Sequence, residues 1–234
     1  MRSMWRTLDK ATRRDIVTLA VADGVVGASF GAIAVSAGLS WWVPVVMSVL
    51  VFAGGAQFLA VGVVAAGGGP IAAVLGGLVL NARHLPFGLA VGDVLGRGGL
   101  RRAIGSHLML DETVAFAMAQ RDPARRRAAY WVCGLVLFVV WNVGTVLGVL
   151  VGQVIGDPAT WGLDAAFPAA LFALVLPALS DPATRRAAIV GAAIALAASP
   201  FLPAGLPVLL ALLGLFAARR KPLPRKETDL EMSR

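Results

Sequence analysis

The sequence predicts an all-α protein, a polytopic membrane helical bundle with about eight hydrophobic segments, some of them broken or re-entrant. Three observations carry that reading. First, the 234 residues are 58% hydrophobic and only 15% charged, and the charges cluster so that several windows of roughly twenty residues, the length that spans a bilayer core, stay almost bare. Second, the 27 glycines suit helices that pack backbone to backbone in lipid. Third, the net charge of +8 gathers at residues 2–14, 97–102, 121–127 and 219–226, all flanking apolar runs. Such a pattern marks topology and contact with membrane lipid, and it does not build a nucleic-acid surface. A soluble domain is excluded. The single cysteine, Cys133, lies in an apolar run and reads as a small packing residue.

Residues 1–15 form a basic leader, expected in the cytoplasm. Val35-Ser36-Ala37 imitates a cleavage site, but the preceding run is long for a signal peptide and carries Asp23, so retention is expected. Residues 16–39 make the first segment, where Gly24, Gly27 and Gly31 mark a face on which a neighbour packs or the helix opens. Trp41 and Trp42 are interfacial anchors. In the next segment, 43–66, Phe52-Ala53-Gly54-Gly55-Ala56-Gln57-Phe58 sets paired glycines beside a glutamine. Two readings stay open: a weakened helix whose amide faces a ligand, or a close-packing notch with Gln57 bonded to a neighbour.

Gly67-Gly68-Gly69-Pro70 leads into the apolar run 71–94, which holds Asn81-Ala82-Arg83-His84-Leu85-Pro86. An arginine at a helix centre costs about 2.5–3.5 kcal/mol on insertion scales, so Arg83 is expected to face a partner or a watery cavity. Pro86 has no N–H for the carbonyl of Ala82 and biases Leu85 away from helical geometry, which should free backbone groups at that depth.

Residues 104–120 are short for a span and carry His107, Asp111 and Glu112 between two basic stretches. If the segment crosses, one of those stretches falls outside. If it is re-entrant, both can be cytoplasmic, but an earlier segment must then fail to cross as well. A short or tilted span is the expectation, because it brings the acids to the depth of Arg83. Further segments are expected at 130–155, 163–179, 186–199 and 203–218, with a polar tail beyond. Gly144 and Gly148 read as a packing face, and Asn142 as an interhelical bond. Asp23 and Asp164, followed by Phe30 and Phe167, are too slight a likeness to claim a repeat.

Chemistry narrows the function. His107 and Asp111 are four apart and would share a helix face with Glu112 nearby, yet two histidines and one cysteine make a metal site unexpected. No nucleophile elbow is present, and the glycine run lacks a following Lys-Ser/Thr, so neither hydrolysis nor ATP use is supported. No cofactor and no enzyme activity are expected. Acids and histidines near an intramembrane arginine suit ion pairing, proton carriage or zwitterion binding.

Taken in order, Phe52-Ala53-Gly54-Gly55-Ala56-Gln57-Phe58, Asn81-Ala82-Arg83-His84, Leu110-Asp111-Glu112-Thr113 and Trp141-Asn142-Val143-Gly144-Thr145 resemble the successive signatures of the AzlC family, the large subunit of branched-chain amino acid exporters. The resemblance spans roughly residues 15 to 218. It implies a secondary transporter subunit exporting leucine, isoleucine, valine and methionine across the inner membrane, with a small AzlD-type membrane subunit as partner. On that reading residues 1–15 are a cytoplasmic leader, 16–218 a transmembrane transport domain and 219–234 a cytoplasmic disordered tail. The motif matches point to Gln57, Asn81, Arg83, His84, Asp111 and Glu112. Chemistry suggests the roles: Arg83 or freed N–H groups for the substrate carboxylate, Asp111 or Glu112 for the ammonium, and Phe30, Phe52 or Phe58 for the apolar side chain. The alternative is a channel or structural membrane subunit in which an acid permanently neutralises Arg83.

Overall fold

The computed structural model describes residues 2–96, 98–154, 172, 175–202 and 206–218. Its leader is helical: α1 (Arg2–Thr7) packs Met4 and Trp5 on the core, and Leu8 is buried. Asp9 then caps α2 (Lys10–Ser36) by accepting the Thr12 N–H at 2.8 Å. That helix therefore starts ahead of its apolar run. The backbone and hydroxyl of Thr12 hold the Asp9 carboxyl below the usual carboxylate range.

The chain divides into two compact units, Met1–Phe172 and Ala173–Arg234. In the first, α2 packs along α9 (Pro123–Val154). Gly24 lies against Val140, Gly27 against Trp141, Gly31 against Thr145 and Val149, and Gly152 against Ala32. Both numbers rise together, so the helices run parallel. At Gly31 and Gly148 a Cβ would collide with the carbonyl oxygens of Thr145 and Ala28, which is why small residues are needed there. The glycine face of α2 is thus a packing face, and α2 does not open.

Five residues after α2, the chain enters α3 (Trp42–Leu50), breaks at Val51–Ala53 and continues as α4 (Gly54–Ala65). Phe52 adopts φ +43° at the break, a left-handed conformation that costs a bulky residue about 1–3 kcal/mol. Next, α5 (Pro70–Asn81) runs antiparallel to α4: Gly55 lies near Leu80, Ala56 near Gly77, and Leu59 against Gly76. The turn Ala82–Arg83 joins it to α6 (His84–Val91). Beyond α6 the chain reaches the start of α9, where Arg126 donates to the Ala90 carbonyl and lies 3.3 Å from Asp93, and the Trp131 indole donates to the Val94 carbonyl at 3.0 Å. Residues 70–91 therefore cross from the far end to the end where α2 and α9 begin.

From that end α7 (Gly99–His107) runs in, breaks at Leu108–Leu110, and returns as α8 (Asp111–Met118). Arg101 stacks 5.4 Å over the Trp131 ring, and Gln120 lies 3.5 Å from Thr12 near the start of α2. Both mouths of this hairpin are at one end. The expected short span at 104–120 is therefore corrected to a re-entrant hairpin. It is matched by a second one, α3 and α4, which enters from the opposite end, so the expected segment 43–66 does not cross either. Helical hydrogen bonding stops at Leu108–Leu110, so His107 and Asp111 do not share a helix face.

Among the described residues three helices are long and apolar enough to cross a membrane, Lys10–Ser36, Pro70–Val91 and Pro123–Val154. With two hairpins turning back between them, the basic residues of 2–14, 98–102 and 121–127 gather at one end. The connections at the other end, 37–41 and 66–69, hold no charge. This arrangement satisfies the positive-inside rule that a crossing at 104–120 would violate. Outward faces are apolar, with Leu89 89%, Val154 86% and Leu85 76% exposed. Only a lipid solvent accommodates such a surface, and the protein is a multi-pass membrane protein.

In the second unit a short 3₁₀ turn (Leu176–Ser180) precedes α10 (Pro182–Ala198), capped by Asp181 accepting the Thr184 N–H at 2.9 Å. The chain then continues through α11 (Leu206–Leu210) and a 3₁₀ run (Ala211–Ala218) that packs on α10, Gly214 facing the Ala187 carbonyl and Gly191 facing that of Ala211. Asp164, Phe167, most of the expected segment 163–179 and the tail 219–234 lie outside the described residues.

Candidate functional site

The site grows from Pro86. Lacking an N–H, it cannot serve the Ala82 carbonyl, and the Leu85 N–H takes that carbonyl instead at 3.1 Å. Leu85 therefore stays helical and the Ala82 carbonyl is not free, which corrects the expectation at both. Pro86 sits in the first turn of α6, where a missing N–H costs nothing. The displaced group is the Asn81 carbonyl, one residue back. It meets His84 Nδ1 at 2.8 Å, while His84 Nε2 lies 3.0 Å from the Met109 carbonyl in the break between α7 and α8. One imidazole thus joins the bend of a spanning helix to the tip of the hairpin from the basic end.

The same bend presents Arg83, whose Nη1 lies 2.6 Å from Asp111 Oδ2 at the head of α8. The two side chains are 37% and 46% exposed, so the pair is within reach of a solute. Gly55, in the first turn of α4, lies next to Arg83; a Cβ there would be 3.9 Å from Nη2. Both α4 and α8 begin in mid-bundle, and their positive ends differ. At α8, Thr113 Oγ1 accepts the Leu110 N–H at 2.8 Å and the first turn carries Asp111 and Glu112. No acidic residue lies in the first turn at the α4 end, where a neutral side chain, Gln57, accepts the Ala53 N–H, which leaves it better suited to an anion than the α8 end.

Glu112 lies within electrostatic reach of Asp111, Arg83 and Asp23 of α2. Oδ2 of Asp23, Oδ1 of Asn81 and Nε of Arg83 are buried with no partner. Gln57 is fully buried; its Oε1 accepts the Ala53 N–H at 3.2 Å within its own hairpin, and its Nε2 has no partner. Neither of the two readings of Gln57 anticipated that local bond.

Phe30 and Phe58 are fully buried, 5.4 Å apart edge to face, and both contact Trp141. Phe52 packs on Phe138 at 5.0 Å and His107 at 6.0 Å. None of the three lines the apolar cavity of about 390 Å³ that the α3–α4 hairpin forms with α5. Its walls include Val43, Met47, Val61, Val74 and Leu78, with Asn81 as the polar member.

Two further contacts tie α3 to its neighbours, one at the break of α7 and one in mid-α9. His107 Nε2 lies 2.8 Å from the Val49 carbonyl, so the end of α7 covers the orphaned end of α3. Ser48 Oγ lies 2.7 Å from Asn142 Oδ1, giving the interhelical bond expected of Asn142. Histidine next to an interrupted helix was a visible signal; its acceptor 58 residues away was not. Among the described residues no group of three His, Cys, Asp or Glu side chains is placed to hold a metal.

Comparison with known proteins gives concordant results. The model of the AzlC protein family matches residues 18–155. The branched-chain amino acid transport protein AzlC of Bacillus subtilis (strain 168) is 26% identical over 210 residues, covering 87% of this chain and 82% of that protein. An uncharacterised membrane protein of Helicobacter pylori is 27% identical over 131 residues, 55% of this chain and 58% of its own length. Another from Haemophilus influenzae is 25% identical over 132 residues, 55% and 54% respectively. No solved structure matches the chain.

Proposed function

The chain belongs to the AzlC family, a family of transport proteins, and from that premise we propose that it exports branched-chain amino acids, working with a small AzlD-type membrane subunit. Leucine, isoleucine and valine are the expected substrates, with methionine as a further one. The relative from Bacillus subtilis, named for branched-chain amino acid transport, supports the substrate class.

The carrying observation is the Arg83–Asp111 pair, closed at 2.6 Å between the heads of α4 and α8. A zwitterion carries the same two charges as the pair, so it can replace both partners at once. Its carboxylate goes to Arg83, whose guanidinium fork makes two parallel bonds, beside the acid-free positive end of α4. The ammonium goes to Asp111, with Glu112 beside it. The apolar cavity that Asn81 borders supplies a place for an aliphatic side chain. No group with enzymatic chemistry is needed at any step.

Counterflow uptake into proteoliposomes tests the reading. A carrier loaded with unlabelled leucine accumulates labelled leucine, saturably and in competition with isoleucine and valine. The closed pair also fits a channel or structural subunit in which Asp111 permanently neutralises Arg83. That reading predicts no saturable exchange, and labelled-leucine efflux with and without the small subunit then measures its contribution.

A further inference from the structure

We propose that His84 is a proton-operated clasp that sets whether the Arg83–Asp111 pair is shut, an inference that rests on the transport reading above. Both ring nitrogens face backbone carbonyls, Nδ1 that of Asn81 at 2.8 Å and Nε2 that of Met109 at 3.0 Å. A carbonyl only accepts, and a neutral imidazole has one N–H. The two bonds therefore coexist only while the ring carries two protons. Removing one proton releases one carbonyl, and each is an orphan of a helix interruption that no backbone N–H reaches.

Geometry ties this to the substrate site. Arg83 precedes His84 and Asp111 lies two residues beyond Met109, so the clasp and the ion pair span the same gap between the α5–α6 bend and the α7–α8 tip. With the clasp held, Asp111 is kept at Arg83. With it released, the tip is free to move and the pair opens to a zwitterion. Histidine is the side chain suited to exchanging a single proton between two such bonds.

The charged neighbours are Arg83 on the same turn, Asp111 and Glu112 on α8, Asp23 of α2 beside Glu112, His107 at the end of α7, and Arg126 of α9 paired with Asp93 beyond α6. Proton and substrate then occupy the region alternately. Leucine binding in the cytoplasm releases a proton there, leucine release outside takes one up, and each outward leucine is balanced by one inward proton.

The test uses the full chain in lipid. The chain has two histidines, so subtracting the ¹⁵N-histidine spectrum of His84→Gln from that of the parent isolates the His84 signal. In the leucine-free parent at about pH 6 both ring nitrogens should be protonated, and saturating leucine should convert the ring to one proton. A neutral ring throughout about pH 5.5–8 without leucine overturns the proposal. Transport gives the second readout. Leucine efflux from proteoliposomes carrying the parent should acidify the lumen, whereas in His84→Gln whatever leucine exchange remains should proceed with no acidification and a flat pH profile. In His84→Lys the ammonium donates to both carbonyls at every pH, so exchange should fall about tenfold and stay flat. A His84→Gln protein that keeps the parental pH profile at reduced rate means a structural role and overturns the clasp. Should neither variant fold, His84 is read in the parent alone, by assigning His107 with His107→Gln. Absence of leucine exchange in the parent would sink the transport reading, while the spectra still decide the clasp.

Discussion

At Arg83 a charge that an apolar run should not tolerate was visible in the sequence, and its partner was not. Asp111 is 28 residues away and reaches Arg83 only because the chain breaks at Leu108–Leu110, a break no local propensity announced. Arg83→Lys keeps the charge and loses the planar fork, so the KM for leucine exchange should rise about tenfold with expression unchanged. The double variant Arg83→Ala with Asp111→Asn separates two roles for the pair. Each single variant leaves a charge without its partner, and the double removes that penalty. Restored folding without exchange is the expected result; restored saturable efflux would make the pair a scaffold and sink the substrate role. Asp111→Asn and Glu112→Gln should be measured singly and together. At least one should abolish efflux at normal membrane abundance, and parental efflux from the double acid variant would remove both from the mechanism. The phenylalanines show the limit of residue-type reasoning. Phe30, Phe52 and Phe58 have the right chemistry for an aliphatic ligand; in this structure they pack on Trp141 and Phe138 and do not line the apolar cavity.

Among elements, the apolar segments were legible because their length and composition alone select a lipid solvent, and the glycine faces of α2 and α9 because spacing sets which side is small. The two hairpins were not. A run such as 43–66 has the hydropathy of a crossing whether the chain passes through or turns at Phe52, and what distinguishes the cases is one left-handed φ and the contacts at the tip. The basic stretches around 104–120 held the answer in a different form, since only a turn-back leaves them on one side. The α2–α9 contact offers a direct stability test. Gly148 faces the Ala28 carbonyl with no room for a Cβ, so Gly148→Leu should force the helices apart at a cost upwards of about 2 kcal/mol. The unfolding midpoint in detergent should drop and folded yield should fall. A midpoint within a degree or so of the parent would mean that the helices are not in this register.

For the whole molecule, the basic residues of 2–14, 98–102 and 121–127 at one end and those of 219–226 in the tail predict that both termini are cytoplasmic. Tags at either end should resist protease added to intact cells, and cleavage of one alone would require a different count of crossings. In the first unit, two hairpins lie between the three spanning helices of its described residues; they come in from opposite faces and touch at Val49 and His107. The α2–α9 interface bears on how such an assembly can move. Where backbone meets backbone there are no long side chains to rearrange, so intermediate displacements along the axis drive a Cβ into a carbonyl. The pair behaves as a mast, either seated or dismounted, and on the transport reading proposed above the hairpins are the rigging, swinging about that post to open and shut the Arg83 gap.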